Sequence, residues 1–167
     1  MDFSTNKNDF LSALTTLSKI TPNRTTLPVL SSALIKAKEN KISIRTTDLE
    51  LEMVFLLDGT ILKEGEVCAP IHKLLEITQN ILDNEISVHV NETNRMRIKN
   101  SKGKYLIACT GTDEFPEKRN NEQEEQKIST EFLQTTIKNT TYCCSKDELK
   151  PVLGRVSFGF SKSSVTS

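Results

Sequence analysis

Tryptophan is missing from this chain, and aromatic residues of every kind make up 5% of its 167 positions. A core must therefore rest on Ile, Leu and Val. An excess of either charge is missing too: 22 Lys and Arg face 22 Asp and Glu. That balance removes bulk charge as a guide to partners and leaves only its distribution to read. No apolar run approaches the ~20 residues that span a bilayer. The first ten residues, MDFSTNKNDF, hold no basic segment followed by an apolar one. Neither a membrane helix nor a signal peptide is expected. Cys68, Cys109, Cys143 and Cys144 lack zinc-ligand spacing, and neighbours in sequence bridge each other poorly. They read as reduced thiols of a cytoplasmic protein without a metal or other cofactor.

Catalytic motifs are equally scarce. There is no Gly-x-Ser-x-Gly, Walker A or His-Glu-x-x-His. His72 and His89 fall in different predicted elements, on polar faces. Glu50/Glu52 belongs to a strand face and Glu124/Glu125 to an acidic run. The spacing of Cys68 and His72 permits a nucleophile pair, but a cysteine buried at a strand end is the simpler reading. A non-enzyme is expected.

What the chain does have is alternation. In the stretch TLPVLSSALIKAKENKISIRTTDLELEM, Thr26 to Met53, Ala33, Ile35 and Ala37 alternate with Leu34, Lys36 and Lys38. Ile42 and Ile44 alternate with Ser43 and Arg45. Leu49, Leu51, Met53, Phe55 and Leu57 share one parity, with Glu50 and Glu52 on the other. This period predicts three half-buried antiparallel strands. Glu39-Asn40 and Thr46-Thr47-Asp48 supply the turns. Upstream, a short strand from Asp2 precedes a helix capped by Asn8 or Asp9, with Phe10, Leu11, Leu14 and Leu17 as its apolar stripe and Pro22 beyond its end.

The same order then recurs. A strand from Glu64 leads into a helix opened by Pro70, with Ile71, Leu74, Leu75, Thr78, Ile81 and Leu82 on one side. Strands follow at Glu85 to Val90, Arg95 to Lys99 and Lys104 to Thr110. Two strand-helix-three-strand units predict an α+β domain with internal pseudo-symmetry, sheets joined edge to edge and both helices on one face.

Residues 117–126 form an acidic linker by composition. Beyond it the opening of the chain returns. Asp9-Phe10-Leu11 is echoed by Glu131-Phe132-Leu133, and Pro28-Val29-Leu30 by Pro151-Val152-Leu153, at offsets of 122 and 123. In both copies a strand is expected before the helix, and Pro-Val-Leu leads into a strand. The expected organisation is a complete domain over 1–116, the linker over 117–126, and an incomplete second copy over 127–167. The end, SKSSVTS, has little strand character beyond Val165.

Thr26-Leu27-Pro28-Val29-Leu30, followed by Thr47-Asp48-Leu49-Glu50 and then GTDEFP at Gly111 to Pro116, resembles the beta subunit of bacterial DNA polymerase III, the sliding clamp. The Glu131 to Phe160 segment resembles the start of that family's second domain, although Gly154 and Arg155 depart from its usual continuation. The resemblance implies the DNA-clamp fold: helices on the inside, sheets outside, and three similar domains per subunit in a head-to-tail homodimer around double-stranded DNA. It implies no chemistry, and it implies partnership with the polymerase III catalytic subunit and the clamp loader.

By this resemblance Arg24 stands where clamps carry a DNA-contacting arginine, and Lys150 occupies the matching loop of the second copy. Lys19 and Lys138 are further phosphate-contact candidates, with Lys7, Lys73 and Lys146 beside them. On the residues alone each also reads as a solvated surface charge. Arg95, Arg97, Lys99, Lys102 and Lys104 form a run without acidic residues, readable as a nucleic-acid patch, a protected strand edge or a solvated face. The resemblance makes this hairpin a subunit interface, with Lys73, Lys99, Lys102 and Lys104 as charge partners and Ile107 as apolar anchor. Val152 and Leu153 match the edge of the family's peptide groove. A truncated or monomeric module is the alternative, since the 167 residues alone are not expected to close a ring.

Overall fold

In the computed structural model, residues 1–22, 25–117, 127–145, 151–160 and 165–166 are described. They divide into two compact units, Met1–Lys118 and Arg119–Ser167.

The first unit begins with β1 (Asp2–Asn6) and α1 (Lys7–Leu17), followed by β2 (Ser32–Lys38), β3 (Lys41–Thr47) and β4 (Glu52–Lys63). The order repeats as β5 (Gly65–Pro70), α2 (Ile71–Gln79), β6 (Glu85–Val90), β7 (Arg95–Asn100) and β8 (Gly103–Ala108). All eight strands join one antiparallel sheet in the order β5-β2-β3-β4-β1-β6-β7-β8. Each repeat lends its first strand to the other: β1 lies between β4 and β6, and β5 pairs with β2. This exchange makes the two repeats one domain. A repeat removed from the other would leave a strand without its partner.

The core lies between the sheet's inner face and the two helices, which pack on each other. Ile35, Ile42, Ile44, Ile86 and Ile98 line the sheet side, and Phe10, Leu14, Leu17, Ile71 and Leu74 line the helix side. β1 approaches β4 closely enough that only glycine fits at position 59. A Cβ there would stand 2.6 Å from the Ser4 carbonyl oxygen and 2.5 Å from Ile42 Cδ1. The β2–β3 turn places Glu39 and Asn40 at φ 51° and 61°, the pair of positive values that suits the twist of a tight hairpin.

Several boundaries differ from expectation. Asn6 caps α1, accepting from the Asn8 and Asp9 amides, because β1 runs straight into the helix. Leu11 and Leu75 are half-buried, and Ala13 takes a core place on α1. α2 ends at Gln79, so Ile81 is buried from the following turn while Leu82 points outward at 76% exposure. β4 begins at Glu52, not Leu49. The Asp48 carboxylate accepts from the Glu50 and Leu51 amides, and Leu49 adopts φ 79°, which holds the chain in a turn. Leu49 and Leu51 are exposed as a result. Pro28-Val29-Leu30 forms a 3-10 turn that ends on β2.

In the second unit α3 (Thr130–Thr140) is capped by Ser129, and no residue of it is buried. No strand precedes it within residues 127–129. Pro151–Gly154 forms a 3-10 turn like that of Pro28–Ser31. β9 (Gly159–Phe160) pairs with β10 (Val165–Thr166). Of the expected linker only Glu117 lies within the described residues.

Candidate functional site

β8 is last in the strand order, with β7 on one side and no strand on the other over Gly103–Ala108. Just past its end, Thr110 exchanges two backbone hydrogen bonds with Cys68 of β5, at 3.1 and 2.9 Å. The two ends of the sheet thus meet at a single residue pair. On the far side of that contact an open groove runs between α2 and the free edge of β8. Lys73, Glu76, Ile77 and Asn80 line it from the helix, and Tyr105, Leu106, Ile107 and Ala108 from the strand.

Free backbone donors and acceptors beside apolar side chains suit an incoming strand. Of the expected interface residues, Lys73 and Ile107 meet in this groove. Ile107 is 4% exposed and belongs to the core, so it forms floor rather than a projecting anchor. The projecting apolar side chain on β8 is Leu106, at 67% exposure. Alternation with the exposed basic face hid it: Leu106 pairs across the hairpin with Arg97.

Lys99 and Lys104 are cross-strand neighbours, and Arg95, Arg97, Lys99, Lys102 and Lys104 are all exposed. Met96 and Ile98 are buried opposite them. None of the five basic residues is in an ion pair among the described residues. One acid does reach the tip of the hairpin. Asp83, from the loop after α2, accepts from the Ser101 amide at 2.6 Å and its hydroxyl at 2.7 Å. Those two donors, and then nearby Lys102, hold its carboxyl below the usual aspartate range. Nothing in the sequence around Asp83 signals this contact across 18 residues.

Arg24, Lys146 and Lys150 lie outside the described residues. Lys19 is exposed in the turn after α1, and Lys7 is half-buried at its start. Lys138 stands in the last turn of α3, where a cation suits the helix dipole. Val152 and Leu153 are 81% and 56% exposed on their 3-10 turn. The Cys68–His72 pairing has no support. Cys68 is fully buried, burial pushes its thiol up to about 11, and His72 is exposed on α2. All four cysteines are free, and no cluster among the described residues could hold a metal ion. No helix of the described residues is long and apolar enough to cross a membrane.

An eight-stranded sheet over a helix pair, built from two equal repeats, is the domain of a clamp-type fold. Residues 1–119 match the family described as DNA polymerase III beta subunit, N-terminal domain, and the chain belongs to that family. It is similar to the beta sliding clamp of Vibrio harveyi, 28% identical over 145 residues, covering 85% of this chain and 99% of that sequence. The beta sliding clamp of Vibrio cholerae is 24% identical over 161 residues, covering 95% of this chain and 44% of the relative. Among solved structures, a sliding clamp from Bartonella birtlesii bound to griselimycin superposes with a TM-score of 0.89 at 24% identity, over 97% of this chain and 44% of that one. A putative DNA polymerase III beta subunit from Eubacterium rectale gives 0.85 at 25%, over 92% and 42%. The chain therefore spans under half the length of most of the relatives described here.

Proposed function

We propose that this chain provides the first domain, and the opening of the second, of a sliding clamp. The clamp is a non-catalytic homodimeric ring subunit that encircles double-stranded DNA and tethers the replicative polymerase. The observation that carries the reading is the free β8 edge beside α2, in a domain of the clamp family. It offers a partner subunit unpaired backbone, an apolar floor at Ile107, a projecting Leu106 and a basic rim. Lys73, Lys99, Lys102 and Lys104 are the charge partners of an acidic strand in this reading.

A sliding tether works through weak contacts with phosphates that carry no sequence information, since base readout would stall it. Arg24, Lys150, Lys19 and Lys138 are the proposed phosphate contacts. Val152 and Leu153 contribute to the edge of a groove for peptide segments of the polymerase III catalytic subunit and the clamp loader. A cytoplasmic location follows from this role.

The test is a chimera in which residues 1–117 of this chain replace the first domain of the Vibrio cholerae clamp. The expected result is retention on nicked circular DNA after clamp loading, and release when the circle is cut. A chimera that folds and dimerises but is never retained would overturn the reading. Arg24→Ala in the chimera should shorten retention without changing its melting temperature.

A module that closes no ring is the second reading for the 167 residues taken alone, favoured by the exposed apolar side of α3, with Phe132 at 42% and Ile137 at 40%. It expects no topological retention of the unmodified chain on the same circles.

A further inference from the structure

The outer face of the sheet carries a strap. Cys68, Leu34, Arg45 and Val54 form one cross-strand row over β5, β2, β3 and β4. The chain leaving β8 starts beside Cys68, through the Thr110 bridge, and finishes beside Arg45. Between these ends Thr112 donates its hydroxyl to Glu66 at 3.2 Å. Phe115 is 6% exposed, with its ring centre 4.9 Å from the Arg45 guanidinium. That guanidinium also donates to the Pro116 carbonyl at 2.6 Å and to Glu52 at 3.0 Å. Residues 111–116 thus cross three strands.

The strap is held differently from the strands below it. From Gly111 to Pro116 the one backbone–backbone hydrogen bond is internal, Phe115 amide to Thr112 carbonyl at 3.0 Å. One ring and two side-chain contacts do the rest. Segments of this kind open at a lower free energy than the core, without global unfolding. Cys68, bridged to Thr110 where the strap starts, is fully buried although its parity is that of the outer face. Glu66 and Arg45, the two side chains that tie the strap down, both act electrostatically on that thiol.

We infer that residues 111–116 are a latch, closed by Arg45 on Phe115 and Pro116, which opens as one piece to uncover Cys68. The latch also sets where the connection to the second unit begins. Closed, the connection starts after Pro116. Open, it gains six residues, up to about 20 Å of reach. Cys68 becomes a thiol that an alkylating reagent reaches only in the open state, its sulfur displacing the halide of the reagent.

The test is iodoacetamide labelling of the full chain, followed by mass spectrometry at each cysteine. In the unaltered protein Cys68 should label far more slowly than exposed Cys143. Arg45→Ala and Phe115→Ala should each raise the Cys68 rate at least tenfold. Cys109, which packs against the core, should keep its rate. Thr112→Val, which removes only the exposed tie to Glu66, should raise the Cys68 rate a few-fold and serves if the other variants fold poorly. Amides of residues 111–115 should exchange faster in Phe115→Ala while those of β3 do not change. A Cys68 rate unmoved by all three substitutions would overturn the latch, as would Cys68 and Cys109 rising together.

Discussion

The guanidinium of Arg45 lies 4.9 Å from the centre of the Phe115 ring, 70 residues later in the chain. It meets three groups at once: a π face, the Pro116 carbonyl and the Glu52 carboxylate. A planar fork with several donors can do this, whereas an ammonium on a flexible stem cannot hold all three. Arg45→Lys should therefore destabilise the first unit by about 1–2 kcal/mol despite keeping the charge. Urea unfolding followed by circular dichroism reads this. A lysine variant as stable as the parent would mean that charge alone matters there.

Gly59 is where β4 makes room for β1. Gly59→Ala should cost about 1–3 kcal/mol, the usual penalty of forcing atoms into a filled space. The Ile42 side chain can rotate, but the Ser4 carbonyl belongs to the β1 backbone and cannot. The midpoint of urea unfolding should fall with little change in slope. An unchanged midpoint would show that β1 shifts freely, contrary to its pairing with both β4 and β6.

The apolar stripes differ in what they tolerate. Leu14 is fully buried and Leu82 is 76% exposed. Leu14→Asp places an unpaired charge in the core and should abolish the cooperative unfolding transition at room temperature. Leu82→Asp should alter stability by less than about 0.5 kcal/mol. Near-ultraviolet and amide spectra of the two variants separate these outcomes, and a folded Leu14→Asp would refute the placement of the core.

The Asp83–Ser101 contact gives a pH dependence with a defined sign. The native carboxyl is held below its ordinary value, near 3.9 in an unfolded chain. Its contribution is therefore fully present above about pH 4 and is lost as pH falls through the lower native value. Asp83→Asn should be less stable than the parent at pH 7, and the gap should narrow towards pH 2.5. Denaturation at both pH values checks this. A gap that widens in acid would contradict the assignment.

Read without a structure, the alternation of Ala33, Ile35, Ala37, Ile42 and Ile44 fixed the inner face of β2 and β3, because a strand's side chains have a period of two. The stripe Phe10, Leu14, Leu17 and the pair Ile71, Leu74 fixed the inner faces of both helices for the matching reason at period 3.6. The repeated order of strand, helix and three strands was legible in the same way. Periodicity says nothing of which strand neighbours which. The exchange of β1 and β5 between repeats, the single Cys68–Thr110 closure and the free β8 edge depend on pairing between distant segments.

The functional surface divides along the same line. Lys99 and Lys104 were visible because a basic run with no acids stands out locally. The acidic Asp83 at the hairpin tip, the projecting Leu106, the burial of Ile107 and the seat of Phe115 on Arg45 were not, since each depends on a neighbour from another element. Local pattern determined which faces turn inward. Only the folded chain decided which edge stays open, because an unpaired strand is defined by what does not lie beside it.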